Sequence, residues 1–277
     1  MTHNLVRSVF ISDVHLGTAA CQAQYLLDFL HSHKPEYLYL VGDIVDLIAM
    51  RKRVNFTVQH EQVVEKVMEM ARQGTRVIYI PGNHDALMRR FSGQIVAGIE
   101  VHRNRVHYCA DGRRFFVSHG DEFDSAMHAG VFWYVVGDFS HHVLLRLNTF
   151  LNACRRALKL PYWSLAGFIK KRIGKANEFI RRFELIAARQ ARELKYDGFI
   201  CGHIHQSGMR RINDVLYCND GDWVEHCTAL IETNQGEFEL VHWADHKEVL
   251  IRERELADEW DGVPDASFPE ANLGQRG

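Results

Sequence analysis

Short apolar runs that stop at polar loops set the pattern of the N-terminal half. Leu5 to Ile11 is such a run, ending at Ser12-Asp13, and it predicts a buried strand that stops at a loop. Tyr37 to Val41, stopped by Gly42-Asp43, and Val77 to Ile80, stopped by Pro81-Gly82-Asn83, predict two more. Between them, Tyr25 to Leu30 has helical spacing and ends near Pro35, and Val58 to Arg72 reads as a helix with Gly74 as its C-cap. This alternation of strand and helix predicts an α/β fold with parallel strands.

Further strand-like runs lie at Val106–Tyr108, at Arg114–Val117 before Ser118-His119-Gly120, and at Gly198–Cys201 before Gly202-His203. Met209–Ile212, Val215–Cys218, Ala229–Glu232 and Glu237–Trp243 follow. The stretch from about Ser125 to Leu194 is helical and aromatic in pattern. The expected organisation is one domain over 1–246, interrupted by a helical insertion at about 125–195. An acidic tail follows at 247–277, containing Pro264 and Pro269, and reads as a frayed helix followed by disorder.

Composition adds limits. Hydrophobic residues make up 47% and charged residues 25% of the 277, ordinary values for a globular protein with an ample core. A net charge of -2 gives no global attraction to nucleic acid. No stretch approaches the roughly 20 apolar residues of a membrane helix. The run Val9-Phe10-Ile11 is too short for a signal-peptide core. The cysteines at 21, 109, 154, 201, 218 and 227 form no C-x-x-C pair and read as core thiols of a reducing compartment. A cytoplasmic protein is therefore expected, with room for attachment to the inner-membrane surface. Histidine is abundant, at 17 residues. His31, His33, His60 and His107 read as surface residues, whereas those beside Asp, Asn or Gly call for chemistry.

Five strand ends finish in metal-capable residues: Asp13-Val14-His15, Gly42-Asp43, Gly82-Asn83-His84-Asp85, His119-Gly120-Asp121 and Gly202-His203-Ile204-His205. In an open α/β sheet the carboxyl ends of the strands form the ligand crevice, so these loops can converge on one site. Carboxylate, amide and imidazole donors without cysteine suit Mn, Fe or Zn in a mixed N/O environment rather than a structural zinc site. The donors exceed what one ion needs, which suggests two divalent ions. Asp46 reads either as a partner of a ligand or as an exposed loop acid, and Asp121 either as a helix cap or as a functional group.

The ordered blocks D-x-H, G-D-x-x-D, G-N-H-D, H-G-D and G-H-x-H, spanning Ile11 to His205, resemble the calcineurin-like metallophosphoesterase superfamily. The resemblance implies a four-layer α/β/β/α sandwich and hydrolysis of a phosphate ester or anhydride by a metal-bridging hydroxide. It implies that Asp13, His15 and His205 bind one ion, that Asn83, His119 and His203 bind the other, and that Asp43 bridges them. His84 would face the leaving group, with Asp85 orienting its ring.

The insertion from Ser125 to Lys195 carries 13 Lys or Arg and 4 Asp or Glu, hence +9, so the remainder sums to -11. Its basic clusters alternate with aromatic and aliphatic residues, a pattern suited to an anionic membrane surface or an amphiphilic phosphate; the alternative is a plain helical cap. With Asn219-Asp220-Gly221-Asp222-Trp223, the insertion resembles the UDP-2,3-diacylglucosamine hydrolase branch. That branch uses Mn and cleaves a nucleotide-linked glycolipid to UMP and a lipid monophosphate in lipid A synthesis. By this resemblance the insertion is a lid, and Arg155, Arg156, Lys171, Arg172 and Lys175 would contact the substrate. Pyrophosphatases of that branch carry Arg where this chain has His84, which leaves open a broad-specificity paralogue with another substrate. A membrane-surface binding protein without turnover is disfavoured, because all the expected ligands and His84 are intact.

Overall fold

Strand β1 (Asn4–Ile11) is exposed where it starts and buried where it ends. The computed structural model describes residues 4–124, 152, 155–156, 158 and 174–256. After a tight loop at Asp13, α1 (Ala23–Ser32) leads to β2 (His33–Val41), which pairs with β1 in parallel. Helices α2 (Leu47–Lys52) and α3 (Val58–Arg72) precede β3 (Arg76–Ile80), parallel to β2. Helix α3 starts at a capping box: Thr57 Oγ1 accepts the His60 N–H, and the His60 ring accepts the Thr57 N–H. A small hairpin, β4 (Ile95–Val96) and β5 (Ile99–Val101), extends the sheet beyond β3.

Strands β6 (Arg105–Tyr108) and β7 (Arg114–Val117) begin a second sheet. Helix α4 (Gly174–Glu193), β8 (Gly198–Cys201), β9 (Gly208–Ile212) and β10 (Val215–Asn219) continue it, in the order β6-β7-β8-β10-β9. The chain then returns to the first sheet through β11 (Thr228–Glu232), β12 (Phe238–Trp243) and β13 (Lys247–Arg252), completing the order β13-β12-β11-β1-β2-β3-β5-β4.

The central strands are buried on both faces, and their alternation divides them between two cores. Val9, Ile11, Leu38 and Leu40 point outward to α1 and α3, where they meet Leu26, Phe29 and Val63. Phe10, Tyr39 and Val41 point inward and meet Phe115, Ile200 and Phe238 of the other sheet or its neighbours. Helix α4 covers the outer face of the second sheet, with Phe183, Ala187 and Ala191 against Phe199 and Tyr217. The result is four layers, helix, sheet, sheet and helix, as the resemblance implied.

Two expectations are corrected. The tail does not start at 247: Val249 and Ile251 pair with Val241 and Leu240, so Lys247–Arg252 is an edge strand. Residues 257–277, with the prolines of the expected disordered tail, lie outside the described residues, as does most of the 125–195 insertion. His33, His60 and His107 are buried rather than at the surface. Each has a polar partner that offsets its burial: Phe29 O for His33, the Thr57 N–H for His60 and the Glu232 carboxylate for His107.

Candidate metal centre

The five loops singled out in the sequence leave the carboxyl ends of β1, β2, β3, β7 and β8, which run parallel within each sheet. Backbone contacts draw the loops together. Asp13 N–H donates to Gly42 O at 3.0 Å and His15 N–H to Asp43 O at 2.9 Å. Within the first sheet His84 N–H donates to Asp43 Oδ1 at 2.8 Å, and across the sheets His203 N–H donates to Asp13 Oδ2 at 2.8 Å. Five of the seven expected ligands hold a left-handed backbone: Asp13 (φ 50), His15 (φ 52), Asp43 (φ 53), His203 (φ 67) and His205 (φ 50). Asp and His tolerate this region better than most residues, at a cost on the order of 1 kcal/mol each. Strain concentrated on these residues marks a place where side-chain direction matters more than local stability.

The side chains converge accordingly. Asp13, His15 and His205 bring one donor atom each within 4.8 Å of one another, and so do Asp13, Asp43 and His119. His205 Nε2 lies 3.1 Å from Asp13 Oδ1, and His119 Nε2 lies 3.3 Å from Asp43 Oδ2. The His203 ring is 5.1 Å from that of His119. Asn83 sits in the loop after β3, two residues beyond Pro81, whose carbonyl is held by Arg89. Asp13 Oδ1, His15 Nε2 and His119 Nε2 are buried without a hydrogen bond. Buried polar atoms are rarely left so, and N/O donors aimed at a common space fit divalent cations of the Mn, Fe or Zn kind.

Charge follows from this crowding. Burial alone would raise Asp43, but the imidazoles of His119, His15 and His84 outweigh it and hold the carboxyl far below its usual range. Burial alone would lower His15, yet its contact with Asp46 and the charges of Asp43 and Asp13 raise it to about 9. Without cations, the loops therefore compensate their carboxylates with protons, which cations displace on binding.

Two of the ligand rings are held from their other side. His15 Nδ1 lies 3.1 Å from Asp46 Oδ2, and His119 Nδ1–H donates to Val41 O at 2.8 Å, so each presents Nε2. Asp46 also reaches His84: its Oδ1 is 3.1 Å from His84 Nδ1 and caps α2 through the Ala49 N–H. The expected role of Asp85 is corrected here. Its carboxylate is buried among the Ile44 and Gly82 N–H groups and the Tyr79 hydroxyl, and it holds the β2 and β3 loops together rather than the His84 ring. Burial and the nearby charge of Asp43 raise its pKa. Asp121 is no helix cap; it receives Arg89 with both oxygens, at 2.8 and 2.7 Å, tying the loop after β3 to the loop after β7.

Over residues 6–207 the sequence matches the family described as calcineurin-like phosphoesterase. The chain belongs to that family. This calcineurin-like phosphoesterase is a metal-dependent phosphoester hydrolase. No curated protein matches it in sequence. Among solved structures, a Vps29 single mutant from Entamoeba histolytica is 14% identical, covering 88% of this chain and 98% of that one, with a TM-score of 0.46. YfcE, a phosphoesterase from E. coli, is 14% identical over 88% and 97%, with a TM-score of 0.45. An archaeal phosphodiesterase is 15% identical over 88% and 99%, with a TM-score of 0.40.

Of the basic residues expected to touch substrate, Lys171 and Arg172 lie outside the described residues, as does the Lys175 side chain. Arg155 and Arg156 are in a helical stretch. Arg156 stands close enough to Tyr25 for its charge to oppose burial and Asp245, which together raise the phenol. Among the described residues no helix is long and apolar enough to cross a membrane. The sequence reading of this phosphoesterase left Asp46 undecided, although G-D-x-x-D places it one turn beyond Asp43. It passed over Asp124 and Arg89, which carry no motif that separates them from loop residues.

Proposed function

We propose that this phosphoesterase cleaves the pyrophosphate of a nucleotide-linked glycolipid of the UDP-2,3-diacylglucosamine kind, on the cytoplasmic face of the inner membrane. Asp13, His15 and His205 would hold one divalent ion and Asn83, His119 and His203 the other, with Asp43 serving both. When bound, the ions supply Lewis acidity that neutralises phosphoryl oxygens and lowers the pKa of water, Mn2+ being the expected metal. The chain's own groups do the rest. Gly42, Gly82 and Gly202 at the strand exits let His119, Asp43 and Asp13 pack directly against the backbone. His84, held at Nδ1 by Asp46, keeps Nε2 for a proton and delivers it to the departing oxygen.

The observation that supports this substrate class is where the insertion is rooted. Asp124, the residue before the insertion, has its carboxylate on His203, and Phe183 of α4, within the insertion, lies 6.2 Å from the His203 ring. The segment 125–195, of net charge +9, therefore starts one residue beyond a partner of His203 and passes that ring again at Phe183. Basic and aromatic residues there suit a substrate with a phosphate and an apolar body. A second reading, a broad-specificity phosphodiesterase, is favoured by His84 and its carboxylate partner, because a built-in proton donor serves poor leaving groups of many kinds.

The test is turnover by the Mn-loaded protein of UDP-2,3-diacylglucosamine in detergent micelles and of bis-p-nitrophenyl phosphate. A kcat/KM at least a thousandfold higher for the lipid, about 4 kcal/mol of discrimination, supports the first reading. Equal weak rates on both support the second. No chelator-sensitive cleavage of either overturns both.

A further inference from the structure

We propose that Asp124 is a positioning residue that fixes the His203 ring and so sets the affinity of the second ion site. This rests on the reading of His203 as a ligand. Two of the other rings are held through Nδ1, by Asp46 for His15 and by Val41 O for His119. His203 is held through Nε2, which lies 2.8 Å from Asp124 Oδ1, so Nδ1 is the nitrogen left for an ion. The carboxylate is itself held in place. Asp124 closes the one-turn helix Asp121–Phe123, its N–H donating to Asp121 O. Glu122 accepts from the Gly120 N–H at 3.1 Å and from the Ser118 hydroxyl at 2.5 Å, stapling the turn from the other side. Phe123 is buried against Phe183 and Phe199, 5.4 and 5.6 Å between ring centroids. Asp124 therefore extends from a turn anchored on α4, although it is itself exposed.

A carboxylate on the far nitrogen of a ligand histidine fixes its tautomer and raises its basicity, and its loss typically weakens metal binding about 10–100-fold. Since the insertion starts at the next residue, the second ion site and the root of the insertion share this contact.

The experiment is Mn2+ titration of the full chain by calorimetry, together with long-range 1H–15N spectra of the histidine rings. In wild type we expect two ions per chain and a His203 ring protonated at Nε2. Asp124→Ala should weaken one of the two sites about 10–100-fold, leave the other unchanged, and lose the single Nε2-protonated tautomer. Asp124→Asn, which keeps an acceptor oxygen, should restore most of the affinity. Asp124→Ala with both affinities at wild-type values, or with both sites weakened alike, overturns the proposal, as does a His203 ring protonated at Nδ1 in wild type. A protein that binds two ions but cleaves neither substrate overturns the substrate reading alone; one that binds a single ion overturns this proposal as well.

Discussion

Asp43 is the carboxylate on which three imidazoles converge, and its charge is held ionised by them against its own burial. Asp43→Asn keeps the shape and removes that charge. We expect kcat to fall at least about a hundredfold, the scale of losing a preorganised electrostatic contact, with an unchanged far-UV spectrum. Wild-type turnover would remove Asp43 from the site. Asp46 makes a different argument. Its two oxygens serve two rings, His15 and His84, whereas an amide has one acceptor oxygen. Asp46→Asn should therefore lose one ring contact and lower kcat about 10²–10⁴-fold, within the range of general acid catalysis. The double variant with His84→Ala should be little worse than His84→Ala alone if the two act as a unit. Fully additive losses in pre-steady-state assays would show that Asp46 acts elsewhere. The sequence displayed both acids equally, at the third position after Asp43 and directly after His84. Which one faces His84 was not legible, because adjacent residues in a tight loop point in different directions, and only the fold shows that Asp85 turns to the Ile44 and Gly82 N–H groups.

At the scale of elements, the strand ends were the legible part, since period-two burial and terminating glycines leave plain marks. Gly82 shows why the glycine belongs there. A Cβ on it would run into Asp43 Oδ1 and the His119 ring, two expected ligands packed against the backbone. Gly82→Ala should lower metal content more than it lowers the melting temperature, as plasma emission spectrometry and calorimetry would show; full metal loading would mean that the ligands can retreat. The start of β2 was misread. His33 looked like a surface residue, yet it is buried, its Nδ1–H donates to Phe29 O at 2.9 Å, and its ring packs on Phe29 and Trp243. Burial lowers its pKa. The sign follows: the stability due to neutral His33 is full above the unfolded value of about 6.5 and is lost as pH falls through the lower folded value. Urea midpoints in chelator at pH 7.5 and 5 should show wild type losing more stability on acidification than His33→Leu. An equal loss in both would mean that the ring is protonated in the folded state.

For the whole molecule, the alternation of strands and helices made the α/β class readable, while the division into two facing sheets was not, because β11 returns to β1 from far along the chain and only pairing reveals it. Edge strand β13 was missed for a related reason: Val249-Leu250-Ile251 is a short aliphatic run within an acidic stretch, and its partner strand decides its conformation. The same long-range closure has a thermodynamic consequence. Loops from both sheets supply the donors, Asp13, His15, Asp43 and Asn83 from one and His119, His203 and His205 from the other. Cations bound there clamp the two sheets together and have no comparable site on the unfolded chain. At a free concentration 100 times the dissociation constant this adds about 2.7 kcal/mol to the folded state. For a chain of this size that corresponds to a rise in Tm of roughly 5–10 °C. Calorimetric scans with Mn2+ and with chelator should differ by that amount, and Asp43→Ala, which removes the carboxylate expected to serve both ions, should shrink the difference to near zero. A Tm insensitive to Mn2+ in wild type would mean that the two sheets are not joined through bound ions.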